Sequence, residues 1–125
     1  MRALVVEDDD VEATLLCELL QRRGYRVRAC ATAGECLSVL SSEPADVVIT
    51  DVKMPGMSGI ELCRELRTHH PDVLVIVLTG AADLAHARAA VVAGAHDFIA
   101  KPVKLDHLDL AIKQAAAALA QESAC

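Results

Sequence analysis

Several side chains that could hold a metal ion or a phosphoryl group each follow a short apolar segment. Glu7 and Asp8 follow the first such segment, and Asp51, Thr79 and Lys101 follow later ones. Carboxylates brought close together repel, so a compact group of them favours a bound cation. Their oxygen atoms suit Mg²⁺ or Mn²⁺, whereas a lysine and a threonine offer positive charge and a hydrogen bond to a phosphoryl group. These residue types predict a magnesium and phosphoryl site if the fold unites them.

The elements that must position these residues alternate between strand and helix patterns. Short, mostly apolar segments predict strands at Ala3–Val6, Asp46–Thr50, Val73–Leu78 and His96–Ala100, and the alternation of polar and apolar residues at Arg26–Cys30 predicts a half-exposed edge strand. Segments with helical periodicity predict helices at Asp10–Arg23, Ala33–Leu40, Ser58–His69 and Ala82–Ala93, and a last helix with the apolar stripe Leu105, Leu108, Ile112, Ala115 and Leu119. Strict alternation of this kind predicts an α/β fold in which helices cover both faces of a parallel sheet.

The first helix has the clearest boundaries. Asp9 followed by Glu12 predicts a capping box, and Gly24 predicts the helix end. Its buried face is predicted to consist of Val11, Leu15, Leu16, Leu19 and Leu20.

Parallel strands bring their carboxyl ends to one edge of the sheet, where ligands of open α/β folds bind. Glu7 and Asp8 follow the first predicted strand, Asp51 the third, Thr79 the fourth and Lys101 the fifth. The second strand ends without a comparable side chain. The fold therefore predicts that these five residues form one site.

Composition excludes several classes of partner. The chain has 125 residues, a net charge of −6 and only two aromatic residues, which argues against a nucleic-acid surface or an anionic membrane surface. Met1 to Ala3 does not resemble a signal peptide, and no apolar segment reaches the roughly 18 residues of a membrane span. The five cysteines include no CxxC pair and are predicted to be reduced thiols of a cytoplasmic protein.

Four motifs in order resemble the receiver domain of two-component response regulators. The motifs read Val5-Val6-Glu7-Asp8, Asp51-Val52-Lys53-Met54-Pro55-Gly56-Met57-Ser58-Gly59, Leu78-Thr79-Gly80 and Phe98-Ile99-Ala100-Lys101-Pro102. The resemblance as a whole covers residues 2 to 120. The resemblance implies one receiver domain over residues 1–125, with a flavodoxin-like (βα)5 sheet in the strand order 2-1-3-4-5. The last residues would then serve as a linker to an output domain.

The resemblance also implies roles for single residues. Asp51 would accept the phosphoryl group. Asp8 and Asp51 would ligate Mg²⁺ directly, Glu7 through water, and Lys53 through its backbone carbonyl. Thr79 and Phe98 would be the switch pair, Lys101 would contact the phosphoryl group, and a cis peptide bond would precede Pro102.

The implied partners are a sensor histidine kinase or phosphotransfer protein, and an output domain or effector. The face formed by the fourth helix, the fifth strand and the fifth helix would repack on phosphorylation and could form a homodimer. Several family members have tyrosine where this chain has Phe98, which can make the same rotation but has no hydroxyl for an external hydrogen bond.

Two other functions compete with this interpretation. A phosphohydrolase similar to haloacid dehalogenases would also use a strand-end aspartate, Mg²⁺ and a lysine. Its second aspartate, the general acid, would fall at Lys53, which cannot play that role. An interaction module that works without phosphorylation predicts loss of Asp51, Lys101 or the acidic pair, and all of these are present.

Overall fold

The computed structural model describes residues 1–54, 56–80 and 84–124. Five strands alternate with five helices: β1 (Arg2–Val6), α1 (Asp10–Arg22), β2 (Arg26–Cys30), α2 (Ala33–Leu40), β3 (Val47–Asp51), α3 (Gly59–His69), β4 (Leu74–Thr79), α4 (Leu84–Ala93), β5 (Asp97–Ala100) and α5 (Leu105–Ala124). The predicted start of the fourth helix, Ala82, lies outside the described residues. The other predicted bounds agree to within one residue.

The strands form one parallel sheet in the order β2-β1-β3-β4-β5. Thus β3 lies at the centre, and β1 and β4 lie on either side of it, with Val5 paired to Ile49 and Ile49 to Ile76. The predicted flavodoxin-like fold and strand order are confirmed. This order brings the ends of β1, β3, β4 and β5 into a continuous row.

Side chains alternate between the two faces of the sheet because successive residues of a strand point in opposite directions. One face packs on α1 and α5 through residues such as Val5, Ile49, Leu20 and Ile112. The other packs on α2, α3 and α4, and its core consists of aliphatic residues and buried thiols: Leu4, Val6, Cys30, Cys36, Val48, Leu62, Cys63, Leu66, Val75, Val77 and Ala90. Both faces are covered, which explains why the central strands are apolar throughout.

The buried face of α1 is narrower than its apolar residues suggest. The predicted face is wrong for Val11 and Leu15, which are 69% and 56% exposed. Burial instead follows Ala13, Leu16 and Leu20, at the i, i+3, i+7 spacing of one helical stripe. Val11 and Leu15 lie outside this stripe, on a side of the helix that the sheet does not reach.

The structure confirms only part of what the sequence predicts for the two ends of α1. Asp9 caps the helix by accepting hydrogen bonds from the N–H groups of Val11 and Glu12. Gly24 follows the helix with φ of +87°, a conformation that favours glycine, as predicted. The predicted return bond from Glu12 to Asp9 is wrong, since the Asp9 N–H donates to Glu7 Oε1 at 3.1 Å.

Candidate phosphoryl and metal site

Asp51 ends the central strand and is held by a tightly packed loop. The next residue, Val52, donates its N–H to the carbonyl of Leu78 at 3.1 Å, and its own carbonyl accepts the N–H of Gly59 at 3.0 Å. A Cβ on Gly59 would lie 2.3 Å from the carbonyl oxygen of Asp51, so only glycine fits there. The Asp51 side chain is 15% exposed, which leaves the carboxylate accessible from one side.

Three carboxylates meet at the carboxyl edge, as predicted. Ligand oxygens of Glu7, Asp8 and Asp51 all lie within 4.8 Å of one another. Glu7 is buried and Asp8 is exposed. Burial, reinforced by the neighbouring charge of Asp51, raises the pKa of Glu7 to about 7, although the N–H of Asp9 opposes this. A set of crowded carboxylate oxygens fits Mg²⁺, because a bound cation offsets the repulsion between them.

Lys101 supplies the positive charge of the site. Its Nζ donates to Glu12 Oε2 at 2.9 Å, to Asp51 Oδ2 at 3.1 Å and to Glu7 Oε2 at 3.4 Å. Burial of the ammonium lowers its pKa, but the hydrogen bonds to Glu12 and Asp51 outweigh burial and raise the pKa overall. The peptide bond between Lys101 and Pro102 is cis, as expected.

Thr79 lies on β4 and Phe98 on β5, the two strands that follow the strand of Asp51 across the sheet. Thr79 is buried at the end of β4, where its Oγ1 donates to the carbonyl of Gly80 at 3.2 Å. Its own carbonyl accepts the N–H of Lys101 at 2.7 Å, which ties the ends of β4 and β5 together. Phe98 is half-buried and packs against the core on the α2–α4 side of the sheet. Lys53 is exposed, two residues beyond Asp51.

The structure therefore brings Glu7, Asp8, Asp51 and Lys101 into one cluster. Thr79 joins it through the backbone bond to Lys101. The switching role of Phe98 and the metal role of the Lys53 carbonyl stay predictions. Sequence reasoning missed Glu12, which forms the shortest of the three contacts to Lys101. The sequence did contain a signal for this contact, because Glu12 lies in the first turn of the helix that follows the acidic pair Glu7 and Asp8.

This fold, with carboxylates and a lysine at the carboxyl edge of its sheet, defines a class: flavodoxin-like α/β domains built around an acidic, cation-binding edge. Residues 3–113 match the family model described as the response regulator receiver domain, and the chain belongs to that family. The resemblance noted in its motifs is thereby confirmed. Receiver domains of this family are regulatory parts of two-component systems.

Individual relatives agree with this assignment. The chain is 38% identical over 104 residues to the C4-dicarboxylate transport transcriptional regulatory protein DctD of Rhizobium meliloti, a match covering 83% of this chain and 23% of that protein. It is 37% identical over 115 residues to a cyclic di-GMP phosphodiesterase of Thermotoga maritima, covering 92% and 31%. The chain thus spans about a quarter to a third of the length of these relatives.

Among solved structures, the chain is similar to a response regulator receiver domain protein from Clostridium thermocellum. The two share 35% identity and a TM-score of 0.86, and the match covers 92% of this chain and 93% of the other.

No helix within residues 1–54, 56–80 and 84–124 is long and apolar enough to cross a membrane.

Proposed function

We propose that this chain is a phosphorylation-driven switch in which Asp51 accepts a phosphoryl group from a phosphohistidine. The donor would be a sensor histidine kinase or a phosphotransfer protein. The observation that carries the proposal is the surroundings of the Asp51 carboxylate. One of its oxygens lies 3.1 Å from the Lys101 ammonium, and the carboxylates of Glu7 and Asp8 lie beside it. A nucleophile thus faces a cation and a set of metal-binding oxygens.

The residues suggest how the transfer proceeds. A carboxylate oxygen of Asp51 attacks phosphorus in line, the bond from phosphorus to the imidazole nitrogen breaks, and the nitrogen keeps the electron pair. Lys101 contacts a phosphoryl oxygen and orients the group, so positioning and electrostatics supply most of the catalysis. The product is an acyl phosphate, which water later hydrolyses to restore the Asp51 carboxylate.

Magnesium is part of this proposal. Asp8 and Asp51 would hold it directly, Glu7 through water and Lys53 through its carbonyl. When bound, Mg²⁺ would neutralise negative charge on the phosphoryl oxygens.

The output would pass through the β4–β5 side of the molecule. The Thr79 hydroxyl, now bonded to Gly80, would turn to a phosphoryl oxygen, and Phe98 would rotate into the space that Thr79 leaves. The face of α4, β5 and α5 would then repack for an output domain, an effector or a second copy of the chain. We place residues 1–125 in one receiver unit that works in the cytoplasm.

Phosphoryl uptake tests the proposal. The protein is incubated with Mg²⁺ and acetyl phosphate, and its intact mass is measured. We expect one added phosphoryl group in the wild type and none in Asp51→Asn. Asp72→Asn, at an exposed aspartate beside the opposite end of β4, is the matched control and should take up the group normally. Turnover of many unrelated phosphate esters would favour a hydrolase, and an unmodified wild type would favour an interaction module.

A further inference from the structure

The closest carboxylate to the Lys101 ammonium belongs neither to the acceptor nor to the predicted metal donors. Glu12 Oε2 lies 2.9 Å from Lys101 Nζ, closer than the oxygens of Asp51 and Glu7. Glu12 lies in the first turn of α1 and Lys101 follows β5, so this ion pair joins residues 89 positions apart. It adds one more negative charge to an already acidic site.

A neighbouring bond leaves Glu12 available for this contact. At the third position of a helix, a glutamate ordinarily bonds back to the N–H of the capping residue. Here that N–H, on Asp9, is already bonded to Glu7 Oε1. Glu7 thus replaces Glu12 in the capping box, and the Glu12 carboxylate extends to Lys101 instead.

We propose that Glu12 is a positioning residue that holds the Lys101 ammonium in the unphosphorylated protein and competes with the phosphoryl group for it. The inference rests on the proposed function and deepens it. An ammonium has three N–H donors, and the three carboxylates Glu7, Glu12 and Asp51 match that number. A phosphoryl oxygen can therefore gain a full hydrogen bond from Lys101 only when a carboxylate gives one up.

Phosphorylation turns the Asp51 carboxylate into an acyl phosphate and weakens its bond to Lys101, so Glu7 and Glu12 are left to compete with the phosphoryl oxygens. The Glu12 side chain is 50% exposed, whereas that of Glu7 is 3% exposed. A carboxylate that returns to water regains its hydration, so the most exposed one loses least when Lys101 leaves. Glu12 therefore gives up the ammonium, and its remaining attraction for Lys101 opposes the phosphorylated state.

The test compares Glu12→Gln with Glu18→Gln. Both remove one negative charge from α1, and both residues line the groove beside Lys101, but only Glu12 contacts the ammonium. Two quantities are measured in Mg²⁺: the steady-state phosphorylated fraction with acetyl phosphate, and the Kd for beryllofluoride, a tetrahedral phosphoryl mimic. Glu12→Gln should tighten beryllofluoride binding about two- to fivefold, the range of a partly exposed ion pair. Glu18→Gln should match the wild type.

The same substitution in a Lys101→Ala background shows whether the effect passes through the ammonium. There, Glu12→Gln should leave the Kd unchanged. An equal tightening in that background would mean general charge repulsion and would overturn the inference. Weaker binding in Glu12→Gln alone would also overturn it, because Glu12 would then support the phosphorylated state.

The outcome for the wild type separates this inference from the proposed function. If the wild type takes up a phosphoryl group and Glu12→Gln equals it in both measurements, the inference fails and the proposed function stands. If the wild type takes up no phosphoryl group, both fail together.

Discussion

Two ionic clusters connect the α1 side of the molecule to the segment after β5, and they differ in their balance of charge. At the carboxyl edge of the sheet, Lys101 faces three carboxylates: Glu7, Glu12 and Asp51. At the opposite edge, the buried carboxylate of Asp109 accepts bonds of 3.0 Å from each of three donors, Arg23, Tyr25 and Lys113, and Arg23 also pairs with the exposed carboxylate of Asp106. In the first cluster the carboxylates outnumber the ammonium that they contact, whereas in the second cluster three hydrogen-bond donors surround the Asp109 carboxylate.

The pKa shifts reflect this difference. At the carboxyl edge, burial raises the pKa of Glu7 to about 7. At the other edge, the hydrogen bond from Lys113 lowers the pKa of Asp109, and the hydrogen bond from Tyr25 and the charge of Arg23 add to the effect. Asp109 thus has its partners within the protein, whereas the three carboxylates around Lys101 outnumber it. The first arrangement stabilises the fold, and the second is of the kind that favours a bound cation.

The largest expected effect comes from removing Lys101, the cation that contacts the carboxylates of the acidic edge. Lys101→Ala should slow phosphoryl uptake from acetyl phosphate by on the order of 100-fold, because it deletes a preorganised positive charge. Without Mg²⁺ it should also lower the free energy of unfolding by about 1–2 kcal/mol, since three carboxylates lose their partner and Lys101 is partly exposed. Uptake kinetics and urea unfolding measure the two effects. Lys104→Ala, at an exposed neighbouring lysine, should change neither, and an equal loss there would refute the assignment.

A backbone change should distort the acidic edge without altering its charges. Gly59→Ala places a methyl group 2.3 Å from the carbonyl oxygen of Asp51, so the loop must shift. We expect a loss of about 2–3 kcal/mol in urea unfolding, together with reduced phosphoryl uptake. Gly34→Ala is the matched control, because its nearest contact would be 3.9 Å and helix α2 favours alanine. Equal stability of the two variants would contradict the close approach seen at Gly59.

Stability should depend on pH in opposite directions at the two clusters. Between its ordinary pKa of 4.5 and about 7, Glu7 keeps its proton in the folded state and loses it in the unfolded state. The free energy of unfolding should therefore fall as the pH rises through this range, by on the order of 2 kcal/mol in the presence of EDTA. Glu7→Gln should remove that decline. An unchanged slope would show that Glu7 ionises normally.

The smallest effect is expected at the cluster around Asp109. Because the pKa of Asp109 is lowered in the folded state, its carboxylate stabilises the protein at pH values above its ordinary pKa of 3.8. This stabilisation is lost as the pH falls through the lower pKa of the folded state. Asp109→Asn should cost about 1 kcal/mol near neutral pH, because weaker neutral hydrogen bonds replace charged ones. Phosphoryl uptake should stay at the wild-type rate. Urea unfolding and intact mass measure these quantities, and a large change in uptake would end the proposed separation of the two clusters.

Local pattern was enough to predict most of the fold. The apolar strands and capping residues are encoded over a few neighbouring positions, so the bounds of the five strands and of the first three helices could be predicted to within one residue. The strand-end residues Glu7, Asp8, Asp51 and Lys101 could be placed together because a parallel sheet gathers its carboxyl ends.

Features that depend on distant residues could not be predicted. The exposure of Val11 and Leu15 depends on how α1 is rotated against the sheet, and hydrophobicity alone does not fix that rotation. The contact of Glu12 with Lys101 requires knowing that Glu7 already occupies the Asp9 N–H. The burial of Asp109 likewise depends on Tyr25, which lies 84 positions away in the chain.

The scarcity of aromatic residues has a practical consequence for spectroscopy. With one tyrosine and no tryptophan, the ultraviolet fluorescence of this protein comes from Tyr25. Its hydroxyl is bonded to the Asp109 carboxylate, at the edge of the sheet opposite Asp51. Tyrosine emission will therefore report changes at the contact between Tyr25 and α5, including unfolding of the α1–α5 side. An optical signal from the Asp51 site itself will need a fluorophore introduced near β4 and β5.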